Sequence, residues 1–274
     1  MKTLTKSKPS TVAPKGKPST VHPASALPFR MPSALLNVDG NAKTVKGQSV
    51  GYLTGILYLA PSTLAGVGDL CPHASKGCRM ACLFTAGFAG IYEAVNAGRV
   101  MRTRLLHDNR KLFLEMLMKE IQAVIRKAEK LKLKPAIRLN GTSDLPWENI
   151  AGDIMREFSN VQFYDYTKSY RRALAFAKGE MPKNYHLTFS LSERNAQLAN
   201  LILEAGSNVC AVVSGHTGGN IVLPMSTVER ETFDADAHDL RFTDSPASDG
   251  RGRVGILTAK GKAKKDTSGF VLKI

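Results

Sequence analysis

Apolar and polar positions along the chain switch between two periods. Tyr52 to Leu59 is an apolar, β-compatible run and predicts a buried strand. Residues 91–106 read as a helix. Over 109–131 the positions Phe113, Leu114, Leu117, Ile121, Val124, Ile125 and Ala128 return every three or four residues, which predicts an amphipathic helix with Asp108 as N-cap. Shorter units follow. Strands are expected at Pro135–Asn140, Val161–Tyr166, Tyr185–Ser190, Val209–Ser214 and Gly252–Ala259. Between them, Trp147, Ile150, Ile154 and Phe158 mark one helical face, Tyr170–Lys178 a short helix, and Ser192 caps a helix that Gly206 stops.

Strands that alternate with helices imply a parallel sheet with helical crossovers. About six strands fit either an open doubly wound sheet or an open, partial (β/α)6 TIM-like barrel. Nearly every predicted strand ends in a polar turn, and a barrel gathers all such turns at one mouth. The partial barrel is therefore the expected fold over residues 49–274. Residues 1–48 differ in kind. They are rich in Lys, Pro, Ser and Thr, repeat Lys-Pro-Ser-Thr-Val at 8–12 and 17–21, and predict a disordered basic arm.

Composition narrows the function classes. With 43% hydrophobic residues in 274, a sizeable core is available. No apolar run approaches the ~20 residues of a membrane helix, and the basic N-terminus lacks the apolar segment of a signal peptide. A cytoplasmic location and no membrane partner are expected. The net charge of +15 favours an anionic partner, a nucleic acid or a nucleotide, over a merely solvated basic surface.

Three of the four cysteines, Cys71, Cys78 and Cys82, fall on one loop after the first predicted strand, with the spacing C-x6-C-x3-C. In a reducing compartment such thiols serve metal or redox chemistry more often than disulfides. An iron–sulfur cluster, a zinc ion completed by His73 or Cys210, and simple thiols near Lys76 and Arg79 are the open alternatives.

The strand-end turns supply further candidates. Asp144 is either the N-cap of the helix at Trp147 or a ligand. Arg138 lies within a strand, where a charge is expected only if it points into a polar centre and pairs with Asp144 or Asp165. Period-2 alternation puts Phe163, Asp165 and Thr167 on one face and Tyr164, Tyr166 and Lys168 on the other. Asp165 is an acid/base candidate or an ion-pair partner of Arg138 or Lys168. His216 sits in a glycine-rich turn and is a further catalytic candidate. Arg99 and Arg102 share a helix face and could meet phosphate, and the run Lys260–Lys265 is a weak basic patch.

With the cysteine loop directly after the first strand and loaded turns after the others, the chain resembles radical S-adenosylmethionine (SAM) enzymes. That resemblance implies a [4Fe–4S] cluster on Cys71, Cys78 and Cys82, with SAM as second cofactor. It assigns the cofactor's amino group to the turn Asn140, Gly141, Thr142, Ser143, Asp144. It assigns the ribose or carboxylate to Ser190, Ser192 and Glu193, and close backbone approach to Gly215, Gly218 and Gly219. The spacing departs from the usual C-x3-C-x2-C of that superfamily, and Ala81 stands where an aromatic residue usually precedes the last cysteine. The chain also resembles a group of uncharacterised phage-encoded proteins sharing the cysteine loop, a strand running Arg138-Leu-Asn-Gly-Thr-Ser-Asp144, and a strand running Phe163-Tyr-Asp-Tyr-Thr-Lys-Ser169. The expected function is a radical-SAM-like enzyme acting on an anionic substrate such as nucleic acid or a nucleotide. The alternative is a nucleic-acid-binding or replication-associated protein with a structural metal, including a nuclease that would use Asp144, Glu148, Asp165 and Lys168 with a divalent ion.

Overall fold

The predicted alternation folds into a mixed α/β structure on a mostly parallel sheet. A computed structural model describes residues 31–38, 40, 42–82, 93–215 and 218–274. Six strands, β2 (Tyr52–Leu57), β3 (Lys134–Arg138), β4 (Gln162–Thr167), β5 (Tyr185–Ser190), β6 (Val209–Ser214) and β10 (Val254–Thr258), lie side by side in chain order and all run parallel. Strand β1 (Leu36–Val38) adds antiparallel beside β2, and β9 (Thr232–Asp234) adds parallel beyond β10. A short C-terminal strand, β11 (Leu272–Lys273), pairs with the end of β6 where β5 has already finished. Strands β7 (Ile221–Val222) and β8 (Glu229–Arg230) form a separate ladder.

The order of the six strands never reverses, so the doubly wound alternative with its switch-point crevice does not apply. The sheet stays open, with β1 and β9 at its two ends, and the described strands form no closed barrel.

Right-handed crossovers between strands in unbroken order bring the connecting helices to one face. Helix α4 (Arg110–Leu131) packs on β2 and β3, α7 (Tyr170–Ala177) on β4 and β5, and α8 (Ala196–Glu204) on β5 and β6. The predicted stripe of α4 is its buried face, through Phe113, Leu117, Ile121, Val124 and Ala128. Phe113 stacks on Trp147 at 6.2 Å, at the start of α5 (Trp147–Ile150), which with α6 (Gly152–Glu157) joins β3 to β4. The opposite sheet face carries Ala136 and Tyr164, covered by Leu240 and Phe242 around a 3-10 turn at Arg241–Thr243. Toward the C-terminal strand ends that same face opens into a pocket.

Three expectations change. The cap of α4 is Asn109, whose side chain accepts from the Leu112 N–H at 3.1 Å; Asp108 closes the preceding helix α3 (Glu93–Asp108) and binds His107 instead. Ser192 does not cap α8: Asn195 precedes it, and its Oδ1 accepts from the Ser192 N–H at 2.7 Å. Within the stretch 1–48 expected to be an arm, Leu36–Val38 is strand β1 and Ala42–Gln48 is helix α1, so folded chain begins before residue 49. Leu35 and Leu36 are buried and their N–H groups donate to the Glu120 carboxylate of α4. Residues 1–30 of that arm lie outside the described residues. Among the described residues no helix is long and apolar enough to cross a membrane.

Candidate functional site

The cysteine loop leaves the sheet after β2 and is held by groups other than its thiols. Ser75 caps the short helix α2 (Lys76–Met80), accepting from the Cys78 N–H at 3.1 Å. The Ser75 hydroxyl donates to Glu193 at 2.6 Å, and the Gly77 N–H donates to the same carboxylate at 2.8 Å. A side chain at Gly77 would strike Ser268 and Phe270, so the loop packs against the C-terminal segment only because glycine stands there. On the other side Arg79 pairs with Asp69 at 2.7 Å and donates to the Cys71 carbonyl at 3.1 Å. Cys71, Cys78 and Cys82 are half-buried, and none of them is in a disulfide.

All three thiols line one cavity of about 230 Å³. Its floor is the turn after β3. Asn140 organises that turn. Its Oδ1 accepts from Ser143 Oγ, the Leu145 N–H and Trp147 Nε1, and its own N–H donates to Asp165 at 2.6 Å. Gly141 lets the turn press onto the end of β2, where a Cβ would stand 2.6 Å from the Leu57 carbonyl. The Thr142 carbonyl lies 3.7 Å from Cys71 Sγ. Lys168 extends from β4 into the cavity, donates to Ser190 Oγ at 2.6 Å, and lies 5.5 Å from the centre of the Phe270 ring.

From Asp144 in the cavity wall a buried charge network runs back into the protein. Asp144 accepts from Thr167 Oγ1, the Lys168 N–H and Arg172 Nη1, each at 2.8 Å. Arg172 also forks onto Glu148 at 2.7 and 2.8 Å and donates to Tyr185 Oη at 3.0 Å. The Tyr185 hydroxyl in turn donates to Asp165 at 2.9 Å. Burial pushes the Cys71 thiol up to about 12, further raised by Cys82, Cys78 and Asp144 and opposed by the Ser62 N–H. Held in this way, Cys71 stays a neutral thiol unless a cationic centre takes its proton's place.

A family model described as Gene product 88 matches residues 34–274, which takes in nearly all of the described residues and the site with them. The chain belongs to the Gene product 88 family. The Gene 88 protein of Mycobacterium phage D29 is 24% identical over 164 residues, covering 58% of this chain and 68% of that relative, and supports a bacteriophage origin. No solved structure matches.

In this family member the fold brings together most of the residues singled out from the sequence. Cys71, Cys78, Cys82, Arg138, Asn140, Gly141, Thr142, Ser143, Asp144, Lys168 and Ser190 all line the cavity. Others stand elsewhere. Asp165 lies on the helix-covered side of the sheet, fully buried, so it faces away from the cavity. Arg138 pairs with neither Asp144 nor Asp165 but with Asp239 at 2.6 Å, with its guanidinium 4.7 Å from the Tyr166 ring centre. Asp144 is not a helix cap; Pro146 holds that position in α5 and makes no side-chain cap. Glu193 holds the cysteine loop from outside the cavity, and Ser192 is buried beside it. Gly215 sits at the end of β6 against the Ile274 carbonyl. Arg99 is buried over the Tyr58 ring, and Arg102 donates through Nε to the Ala34 carbonyl at 2.8 Å. His216 lies outside the described residues.

The acidic set for a divalent-metal nuclease is engaged in the same network, because Arg172 bridges Asp144 and Glu148 while Asp165 is turned away. Among the described residues no group of three or more His, Cys, Asp or Glu side chains converges to hold a metal ion. Asp236, Phe270, Val212 and Leu257 also line the cavity, and no sequence motif pointed to them. Strand β10 and the C-terminal segment bring Leu257 and Phe270, and only the lysine run there carried a signal.

Asp165 gives a pH prediction. Burial pushes its carboxyl up to about 7, against the Asn140 N–H and the Arg138 charge. Between the unfolded value near 4 and that folded value, the folded chain keeps a proton that the unfolded chain has lost. The group's contribution is therefore full below about pH 4 and falls as pH rises toward 7. In denaturant titrations at pH 5 and pH 7, Asp165→Asn should narrow the stability difference between the two pH values by about 2 kcal/mol. An unchanged difference would mean that Asp165 is ionised in the fold throughout this range.

Proposed function

We propose that this protein is an iron–sulfur-cluster enzyme of the radical-SAM-like type, with its six consecutive strands acting as a partial (β/α)6 barrel. The observation that carries the proposal is the shared cavity. Three thiols from the loop after the first parallel strand face the same space as the turn after the second, Lys168 after the third and Ser190 after the fourth.

The donor set suits a cluster better than a single ion. Structural zinc draws four donors into one tetrahedral sphere, whereas the loop brings three thiols to this cavity. In a multi-iron cluster each thiolate takes a different iron, so three separate thiols around one cavity suffice and one iron is left open. Cys71, Cys78 and Cys82 would hold it. When bound, the cluster supplies the electron for reductive cleavage of a sulfonium cofactor.

The chain's own residues bind, orient and exclude water. The turn 140–143, fixed by the Asn140 side chain, lines the cavity and would receive an ammonium group. Lys168, steadied by Ser190, receives an anionic group. Ala263, Phe270, Val212 and Leu257 form an apolar wall that keeps water from the reacting atoms.

The test is anaerobic purification, with assay of iron, zinc, acid-labile sulfide and visible absorbance. About four irons and four sulfides per chain are expected. One zinc per chain without sulfide would overturn the proposal.

A further inference from the structure

The cavity mouth is bordered by lysines that carry no carboxylate partner among the described residues. Ala263 of the 3-10 turn Gly261–Lys265 is buried in the cavity wall, which turns Lys262, Lys264 and Lys265 outward. Across the mouth, Ala74 and Cys78 line the cavity and Lys76 between them is exposed. Gly77 beside it abuts Ser268 and Phe270, and Phe270 packs in one cluster with Ala263 and Cys78, so the two lysine-bearing segments are linked through Phe270.

The carboxylates around this rim are already committed. Asp236 takes Lys260 at 2.6 Å and the Thr258 N–H at 2.8 Å. Asp266 takes Ser268 Oγ at 2.6 Å and the Val271 N–H at 3.0 Å. Glu193 takes Ser75 and Gly77, and Asp69 takes Arg79 and the Cys71 N–H. Among the described residues, Lys76, Lys262, Lys264 and Lys265 enter no ion pair. Inside the cavity Lys168 likewise has a hydroxyl and a ring for neighbours and no carboxylate.

We propose that this rim docks single-stranded nucleic acid, with backbone phosphates on Lys76, Lys262, Lys264 and Lys265 and one unstacked nucleotide entering the cavity toward Lys168 and Phe270. A single strand fits better than a duplex, because a base reaches an inward cavity only when it leaves its stack, and an aromatic wall receives any base. The proposal rests on the cluster-enzyme reading only for the chemistry after docking; the docking itself needs no cluster.

The test uses the full chain, cluster-free, and the fluorescence anisotropy of a labelled oligonucleotide of ~16 nucleotides, a span such sites cover. One variant carries Lys→Gln at 76, 262, 264 and 265. A matched control carries Lys→Gln at 111, 119, 130 and 132, exposed lysines on or just after α4. Both lose the same charge and both keep the N-terminal arm. The rim variant should lose at least tenfold in affinity. The slope of log K against log salt should shrink by up to ~3, since each single-strand phosphate contact adds about 0.7. The control should shift less than twofold. Equal losses in both variants, or a duplex of the same sequence bound as tightly as the single strand, would overturn the proposal. Failure here would leave the iron and sulfide assay untouched, and failure of that assay would leave this one untouched.

Discussion

Replacing Cys71, Cys78 and Cys82 together by alanine is expected to remove all iron and sulfide from the anaerobically purified protein, and cofactor-dependent turnover with them. The same variant should still fold. The loop is pinned by Glu193 on Ser75 and Gly77, and by Arg79 on Asp69 and the Cys71 carbonyl. The Cys71 thiol adds little to this. Among the described residues Cys71 Sγ has a long 3.4 Å contact from the Ser62 N–H and a 3.7 Å contact to the Thr142 carbonyl. Three small truncations of half-buried side chains cost on the order of 1 kcal/mol. In a domain of this size that lowers the melting temperature by about 2–4 °C. The comparison is made between apo proteins, because a bound cluster would stabilise the parent chain by mass action. A structural metal gives the opposite pattern. There the loop would need its ligands to fold, and chelation of the parent chain would lower the melting temperature as steeply as mutation does. Iron retained by the triple variant would sink the assignment of the cluster to these residues.

The largest loss of stability is expected at Arg172. Its guanidinium is buried between Asp144 and Glu148 and also donates to Tyr185. Methionine fills similar space but leaves two buried carboxylates without a cation. Breaking one side of a buried pair costs roughly 3–5 kcal/mol, most of it from the charge left behind. Denaturant unfolding of Arg172→Met should show that loss. Adding Asp144→Asn and Glu148→Gln to it should recover a good part, because the stranded charges go with them. The network also reaches the cavity, because Asp144 accepts from the Lys168 N–H and Thr167 Oγ1 at the end of β4. A loss below about 1 kcal/mol would mean that the network is solvated and behaves as a surface pair.

Much of the architecture was legible because it is written in local periods. The stripe from Phe113 to Ala128 could only be a helix face, and it is the buried one. Alternation along Phe163 to Lys168 placed Asp165 and Lys168 on opposite sides of β4, and they are. The three cysteines and the turn Asn140–Asp144 were visible as spacing and composition at strand ends. The alternation does not tell which of the two faces opens into the cavity, so it leaves open whether Asp165 or Lys168 reaches it. Asp108 and Asn109 are equally good capping residues one position apart, and only the junction between two helices chooses between them.

Partnership was not legible. Arg138 meets Asp239, 101 residues away, and Glu193 reaches Ser75 across 118. Nothing in either neighbourhood marks the other, because a long-range ion pair depends on which strands become adjacent and in what register. The chain alone therefore settles the element types, the apolar faces and the presence of a soft-donor loop, since each follows from spacing within a few residues. The tertiary structure alone decides that the strands stand in unbroken order and that their C-terminal ends meet the cysteine loop at one cavity. It also decides which charges are neutralised behind that cavity and which lysines stay uncompensated at its mouth. Local spacing orients a side chain relative to its own element, and only the packing of elements determines what that side chain faces.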